Sequence, residues 1–208
     1  MIQRATMAVA VAAAALAGMT AAWFVTREPA RPVLERATLF DAGRPLPEPR
    51  LVDHLGRDYG LDRLRGRWTL MFFGFTHCPD VCPLTLATLA ETRRLLAGLP
   101  REQQPGVAFV SVDPHRDTAT VLSRYVGHFD PEFTGVTGGS AALDAFTRAL
   151  GVAVILGAPA EDGSYTVDHS AAIFLVNPQA ELVAVFGTPH EAAIIADDYR
   201  RIVAAAPG

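Results

Sequence analysis

Trp68-Thr69-Leu70-Met71-Phe72-Phe73-Gly74-Phe75-Thr76-His77-Cys78-Pro79-Asp80-Val81-Cys82-Pro83 is the stretch whose reading decides the fold of this chain. Its first half, Trp68 to Phe75, is a nearly unbroken apolar run of strand length, which implies a strand buried on both faces. Its second half carries the only two cysteines of the chain, with three residues between them. Pro83 suits the first turn of a helix, where its missing N–H costs nothing. Both thiols therefore fall at or just before a helix N-terminus, whose partial positive charge is expected to stabilise thiolate and lower the thiol pKa. Two cysteines are too few for a disulfide scaffold, and so small a loop would constrain the unfolded chain little. A reactive or metal-chelating pair is the expectation.

Working outward, Val107 to Val112 and Ala171 to Val176 are further apolar runs of strand length. Helical spacing lies between them: Leu86, Leu89 and Leu96, then Leu122, Tyr125, Val126 and Phe129, then Leu143, Phe146 and Leu150. Leu182 to Phe186 follows after Asn177-Pro178-Gln179-Ala180, a connection too short for a crossover helix, so a β-hairpin is expected. Ile194, Ile195, Tyr199, Ile202 and Val203 mark a closing helix. The class is α/β, and the order resembles a thioredoxin-like fold, a central mixed sheet flanked by helices.

Before Leu51 the chain reads differently. Ala5 to Thr26 is a run of 22 uncharged residues between Arg4 and Arg27. At a rise of about 1.5 Å per residue it just crosses a hydrocarbon core of roughly 30 Å. A buried helix of the domain and a cleaved signal are the rivals. Flanking arginines, Trp23-Phe24 and the prolines that follow favour a retained N-terminal transmembrane anchor over residues 1–30. Residues 31–50, with Pro32, Pro45, Pro47 and Pro49, read as an extended tether, and residues 51–208 as one domain. No cysteine near the run allows a lipid anchor. The chain has 18 basic and 22 acidic residues, a net charge of -4 and no basic cluster, which argues against nucleic-acid binding. All of the basic residues are arginine, which excludes a phosphate-loop lysine, a Schiff base and an amine base. The Ala-rich, lysine-free composition suggests a bacterium, so the expected location is a single-pass plasma-membrane protein with its domain on the periplasmic side.

A metal held by two thiolates wants a third ligand from elsewhere. His54, His115, His128 and His190 lie in polar, surface-like surroundings, and His77 as the neighbour of Cys78 points away in an extended segment. His169, in Val167-Asp168-His169-Ser170 just before a strand, is the better choice, on the loop that faces the cysteines in a thioredoxin-like fold. That loop lacks the proline of thioredoxins, which weakens a general oxidoreductase reading. Two sulfurs and an imidazole suit Cu(I) and Cu(II). Zinc would want a fourth ligand, with His77 or Asp113 moving in. Asp113 either orients a ligand histidine or makes an Asx-turn before Pro114. Asp80 and Asp168 are candidates for hydrogen bonding to the ligands, or else solvated carboxylates. Asp117 reads as a helix N-cap. No serine sits on a hydrolase elbow with a partnered histidine.

Three segments together resemble the Sco/SenC family of copper-binding assembly proteins of cytochrome c oxidase: Gly74 to Pro83, Ser111-Val112-Asp113-Pro114-His115-Arg116-Asp117-Thr118, and Val167 to Ser170. The similarity covers about residues 40 to 200, and Ala180 stands where the family usually has glycine. The resemblance implies copper ligation by Cys78, Cys82 and His169. It also implies a metallochaperone for the dinuclear copper centre, with the oxidase subunit that carries this centre as partner. A copper donor chaperone or a thioredoxin-type reductant would be further partners. The alternative is a thiol–disulfide oxidoreductase or redox sensor using the same cysteine pair. A peroxidase-like use of the fold is remote, since the double-cysteine and histidine arrangement does not suit it.

Overall fold

The computed structural model describes residues 18–19, 32–160 and 164–206. Apart from Gly18 and Met19, the uncharged N-terminal run lies outside the described residues, and no described helix is long and apolar enough to cross a membrane. The α/β expectation holds. Strands β1 (Ala37–Pro45), β2 (Leu51–Asp53), β3 (Asp58–Tyr59), β4 (Thr69–Gly74), β5 (Gly106–Ser111), β6 (Thr134–Thr137), β9 (Ile173–Val176) and β10 (Glu181–Phe186) form one mixed sheet in the order β1-β10-β9-β4-β5-β6-β2-β3. Strands β7 (Val154–Leu156) and β8 (Val167–His169) form a separate two-stranded sheet. The α-helices are α1 (Val81–Leu95), α2 (Ala119–Phe129), α3 (Ser140–Leu150) and α4 (Ala192–Ala205).

Strand β4 sits in the middle with all its residues buried, as an apolar run without alternation requires. Phe72 packs on Phe109, and Phe73 points to the opposite face, against Phe146 of α3. Strand β5 runs parallel to β4 with Gly74 opposite Ser111, and β9 runs antiparallel with Ile173 opposite Phe72. The ends of β4 and β5 and the start of β9 therefore meet at one end of the sheet. This register brings the cysteine loop, the Asp113 loop and the histidine segment together. Carboxyl ends of parallel strands are where open α/β sheets place their sites. The expected β9–β10 hairpin is present, and Ala180 in its turn has a left-handed φ of 61°, a conformation that glycine adopts without strain.

One expectation is corrected. The tether of residues 31–50 contains β1, which pairs antiparallel with β10 from Ala37 opposite Phe186 to Pro45 opposite Glu181. The strand lies at the sheet edge, where a proline removes no needed ladder bond and one side faces water, so its composition resembles a linker. The compact unit accordingly begins at Leu34, before Leu51. Its first residues are fixed by the buried Asp198 of α4, whose carboxylate accepts the backbone N–H groups of Glu35, Arg36 and Ala37, each at 2.8 Å. Asp198→Ala leaves these donors to water and should cost about 2–3 kcal/mol. Denaturant unfolding measures that loss, and amide exchange should accelerate first in β1.

Candidate metal centre

Gly74 makes room for the site. A Cβ there would stand 2.7 Å from Cys82 Sγ and 2.8 Å from Phe109 Cε2. The chain then turns through Thr76, whose N–H and Oγ1 both donate to Asp117, at 3.0 and 2.5 Å. Asp117 is fully buried and also accepts from Ser111 Oγ at 2.6 Å. It is not the expected N-cap of α2; Thr118 takes that position, its hydroxyl accepting from Val121 N–H. His77 is half-exposed, its Nδ1 4.0 Å from Asp117 Oδ1, and is not among the clustered ligand atoms.

Helix α1 begins without a side-chain cap from Asp80. The N–H of Cys82 instead donates to Cys78 Sγ at 3.4 Å, so one of the helix's unpaired donors points at a sulfur. Across the gap, His169 ends β8, where it pairs with Val154. Its ring stands edge-on to Phe75 at 5.8 Å and 90° and lies near Phe72 at 6.1 Å. With Nδ1 3.1 Å from the Ser170 carbonyl, that nitrogen is assigned as the donor, which leaves the Nε2 lone pair facing Cys82 Sγ at 3.4 Å. The ligand atoms of Cys78, Cys82 and His169 all lie within 4.8 Å of one another. Both cysteines are free thiols, Cys78 half-buried and Cys82 buried.

The electrostatics reverse one expectation. Burial pushes the Cys82 thiol up, against a hydrogen bond from the Phe75 backbone that favours the thiolate. The helix terminus does not make this sulfur acidic, because desolvation of a charge outweighs a partial dipole. Burial lowers His169, so its imidazole is neutral and ready to ligate at neutral pH.

The other candidates divide. Asp113 is buried and makes no Asx-turn: its carboxylate accepts from Tyr165 O–H at 2.6 Å and pairs with Arg116. Asp80 and Asp168 are exposed and lie outside the ligand cluster. His54 and His190 are half-buried rather than solvated, His54 Nδ1 accepting from Gly135 N–H at 2.9 Å and His190 Nδ1 lying 3.3 Å from Thr85 Oγ1. Sequence reasoning passed over Gly74, although a glycine inside an apolar strand is itself a sign of close approach. It also passed over Tyr165, for which no sequence signal existed.

Residues 46–204 match the SCO1/SenC family profile. The chain belongs to the SCO1/SenC family. It is 39% identical over 155 residues to the human mitochondrial protein SCO2 homolog, a match covering 74% of this chain and 58% of that one. The bovine counterpart is 36% identical over 192 residues, 91% of this chain and 72% of that protein. Among solved structures, Arabidopsis thaliana ScoI with copper bound has a TM-score of 0.68 at 32% identity, covering 78% of this chain and 98% of that one. Yeast Sco1 with copper bound has a TM-score of 0.71 at 25% identity, covering 79% and 91%. The fold of this Sco-family chain is thus the thioredoxin-like one expected from its element order.

Three outcomes follow from the site geometry. Cys82 is held protonated, so copper must displace at least that proton, and apparent affinity should rise about tenfold or more per pH unit between pH 6.5 and 8.5. For stability the signs oppose. The raised thiol's contribution is lost as pH climbs above its ordinary 9.0, and the lowered imidazole's contribution is lost as pH falls below its ordinary 6.5. With respect to these two groups, the metal-free protein should be most stable between those values, which melting curves across pH will show. Gly74→Ala should cost about 1–3 kcal/mol by overpacking and displace Cys82, lowering copper stoichiometry measured by dialysis.

Proposed function

We propose that this protein is a copper metallochaperone that holds its cargo through Cys78, Cys82 and His169 and assists assembly of the dinuclear copper centre of cytochrome c oxidase. The observation that carries the reading is the convergence of two sulfurs and a neutral imidazole within 4.8 Å on one end of the sheet. That donor set fits copper: soft sulfur suits Cu(I), and the added nitrogen makes Cu(II) acceptable. Two copper-bound Sco structures share the fold. On this reading the protein carries copper and does not turn over a substrate.

The ligands differ in access. Cys82 is buried beside Gly74, whereas Cys78 is half-buried at the loop. Cys78 is therefore the ligand that an incoming thiolate of the oxidase subunit, or of a copper donor, would replace first. Val81 and Leu84 on the first turn of α1, which carries Cys82, and Ile155 and Leu156 on β7, the strand paired with the one that carries His169, expose apolar side chains, surface a partner would cover. The uncharged run of residues 5–26 supports a bacterial plasma-membrane anchor with the domain on the periplasmic side.

A second reading, a thiol–disulfide reductase or redox sensor, is favoured by the pairing of a half-buried with a buried free thiol, the arrangement of an attacking and a resolving sulfur. Copper titration of the soluble domain, residues 31–208, separates the two. One copper per chain with a sulfur-to-Cu(II) charge-transfer band is expected, and His169→Ala should abolish stable Cu(II) binding while leaving dithiol exchange with a thioredoxin-type reductant intact. Stable Cu(II) binding that survives His169→Ala would overturn the ligand set. No stoichiometric copper, with ready cycling of the cysteine pair, would establish the oxidoreductase.

A further inference from the structure

Arg116 stands where three segments of the site meet. Its Nε donates to the Asp113 carboxylate at the end of β5. Its Nη1 donates to the Tyr165 carbonyl at 3.2 Å, and its guanidinium lies 3.8 Å from the centroid of the Tyr165 ring. The Tyr165 hydroxyl closes the circuit by donating to Asp113 Oδ1 at 2.6 Å. On its other side the guanidinium lies 5.6 Å from the centroid of Phe75, the ring that stands edge-on to His169. Arg116 Nη2 is buried with no hydrogen-bond partner among the described residues. A surface arginine would turn that group to water, so this one is held by its stacking and its other bonds.

His169 needs such an anchor. Its strand belongs to the two-stranded β7–β8 sheet, which among the described residues shares no ladder with the main sheet. Backbone pairing within β7–β8 therefore leaves the distance from His169 to the sulfurs at the start of α1 unset. The chain joins the main sheet at Ile173 after β8, and β7 joins α3 through residues 151–153; the side-chain tie to the end of β5 is Tyr165, two residues before β8 begins.

We propose that Arg116, with Asp113 and Tyr165, is a positioning unit that latches the β7–β8 arm to the end of β5 and so sets the His169 imidazole against Cys78 and Cys82. The inference rests on the copper reading, since it assigns what completes that site. It separates the oxidation states of the metal: two thiolates suffice for Cu(I), whereas Cu(II) depends on the nitrogen. Loosening the latch should weaken Cu(II) about 10–100-fold, the usual loss when a residue that orients a ligand is removed, and leave Cu(I) nearly unchanged.

The test uses Arg116→Ala, Arg116→Lys and the milder Tyr165→Phe, each alone and combined with His169→Ala. In metal-free protein, amide exchange should accelerate across residues 166–170 while the β4–β5 core stays protected. With Cu(II), nitrogen hyperfine coupling from the imidazole should weaken. Lysine should rescue little, because it pairs with Asp113 but supplies neither the planar fork nor the stack. In the His169→Ala background Arg116→Ala should add no further loss. Equal loss of Cu(I) and Cu(II) in both backgrounds, or unchanged exchange in the arm, overturns the latch. Should the unaltered protein bind no copper, the copper reading fails, and the exchange measurement still decides the latch.

Discussion

The buried carboxylate of Asp117 is the constraint on which the site depends. It takes both donors of Thr76 and the hydroxyl of Ser111, so the turn after β4 is tied to the end of β5 where Gly74 and Ser111 lie opposite each other. Ser111 is used twice, since its oxygen also accepts the N–H of Asp113. One hydroxyl thus orders the cysteine loop and the aspartate loop together. Fixing each loop residue costs about 1–2 kcal/mol of backbone entropy. Hydrogen bonds to a buried carboxylate, worth about 1.5–3 kcal/mol each, are of the size needed to offset it.

From that anchored turn the two sulfurs acquire different characters. Cys78 lies at the mouth of α1 and receives a helix N–H; Cys82 lies one turn further in, against the space a side chain at 74 would fill. The buried thiol holds its proton until a cation replaces it. Desolvation that opposes a bare thiolate does not oppose a metal thiolate, whose charge is compensated. The pair is thereby matched to a soft cation more closely than to open-solution nucleophilic chemistry.

Much of this was legible in the residues. The apolar runs at 68–75, 107–112 and 171–176 became β4, β5 and β9 with ends shifted by one or two residues, and the periodic segments became the helices. The three candidate ligands come together as their spacing and flanking strands suggested. What was not legible has physical reasons. Strand β1 lies at an edge and reads as linker; β2, β3, β7 and β8 have only two or three residues, too few for a period to register. Asp117 and Thr118 are both capping residues, and only the fold decides which one caps. The sign of the Cys82 shift was misjudged because a helix terminus is visible in sequence and burial is not. Asp80 lies midway between the cysteines and Asp168 beside His169, yet both are exposed; for Asp168 the alternation of side chains along β8 is the reason.

The three ligands are also held with unequal firmness. The sulfurs belong to a helix start and a loop fixed by Asp117, while the imidazole comes from a small sheet joined to the rest through side chains, through residues 151–153 after α3 and through residues 170–172 before Ile173. Movement of that arm would withdraw a ligand without breaking any ladder of the eight-stranded sheet. A structural metal site encloses its ion with four ligands fixed by the fold itself. Here one ligand is half-buried at the surface, one is buried, and one can move with its arm. That inequality suits a site from which a partner removes the metal stepwise, beginning at Cys78 and ending at Cys82.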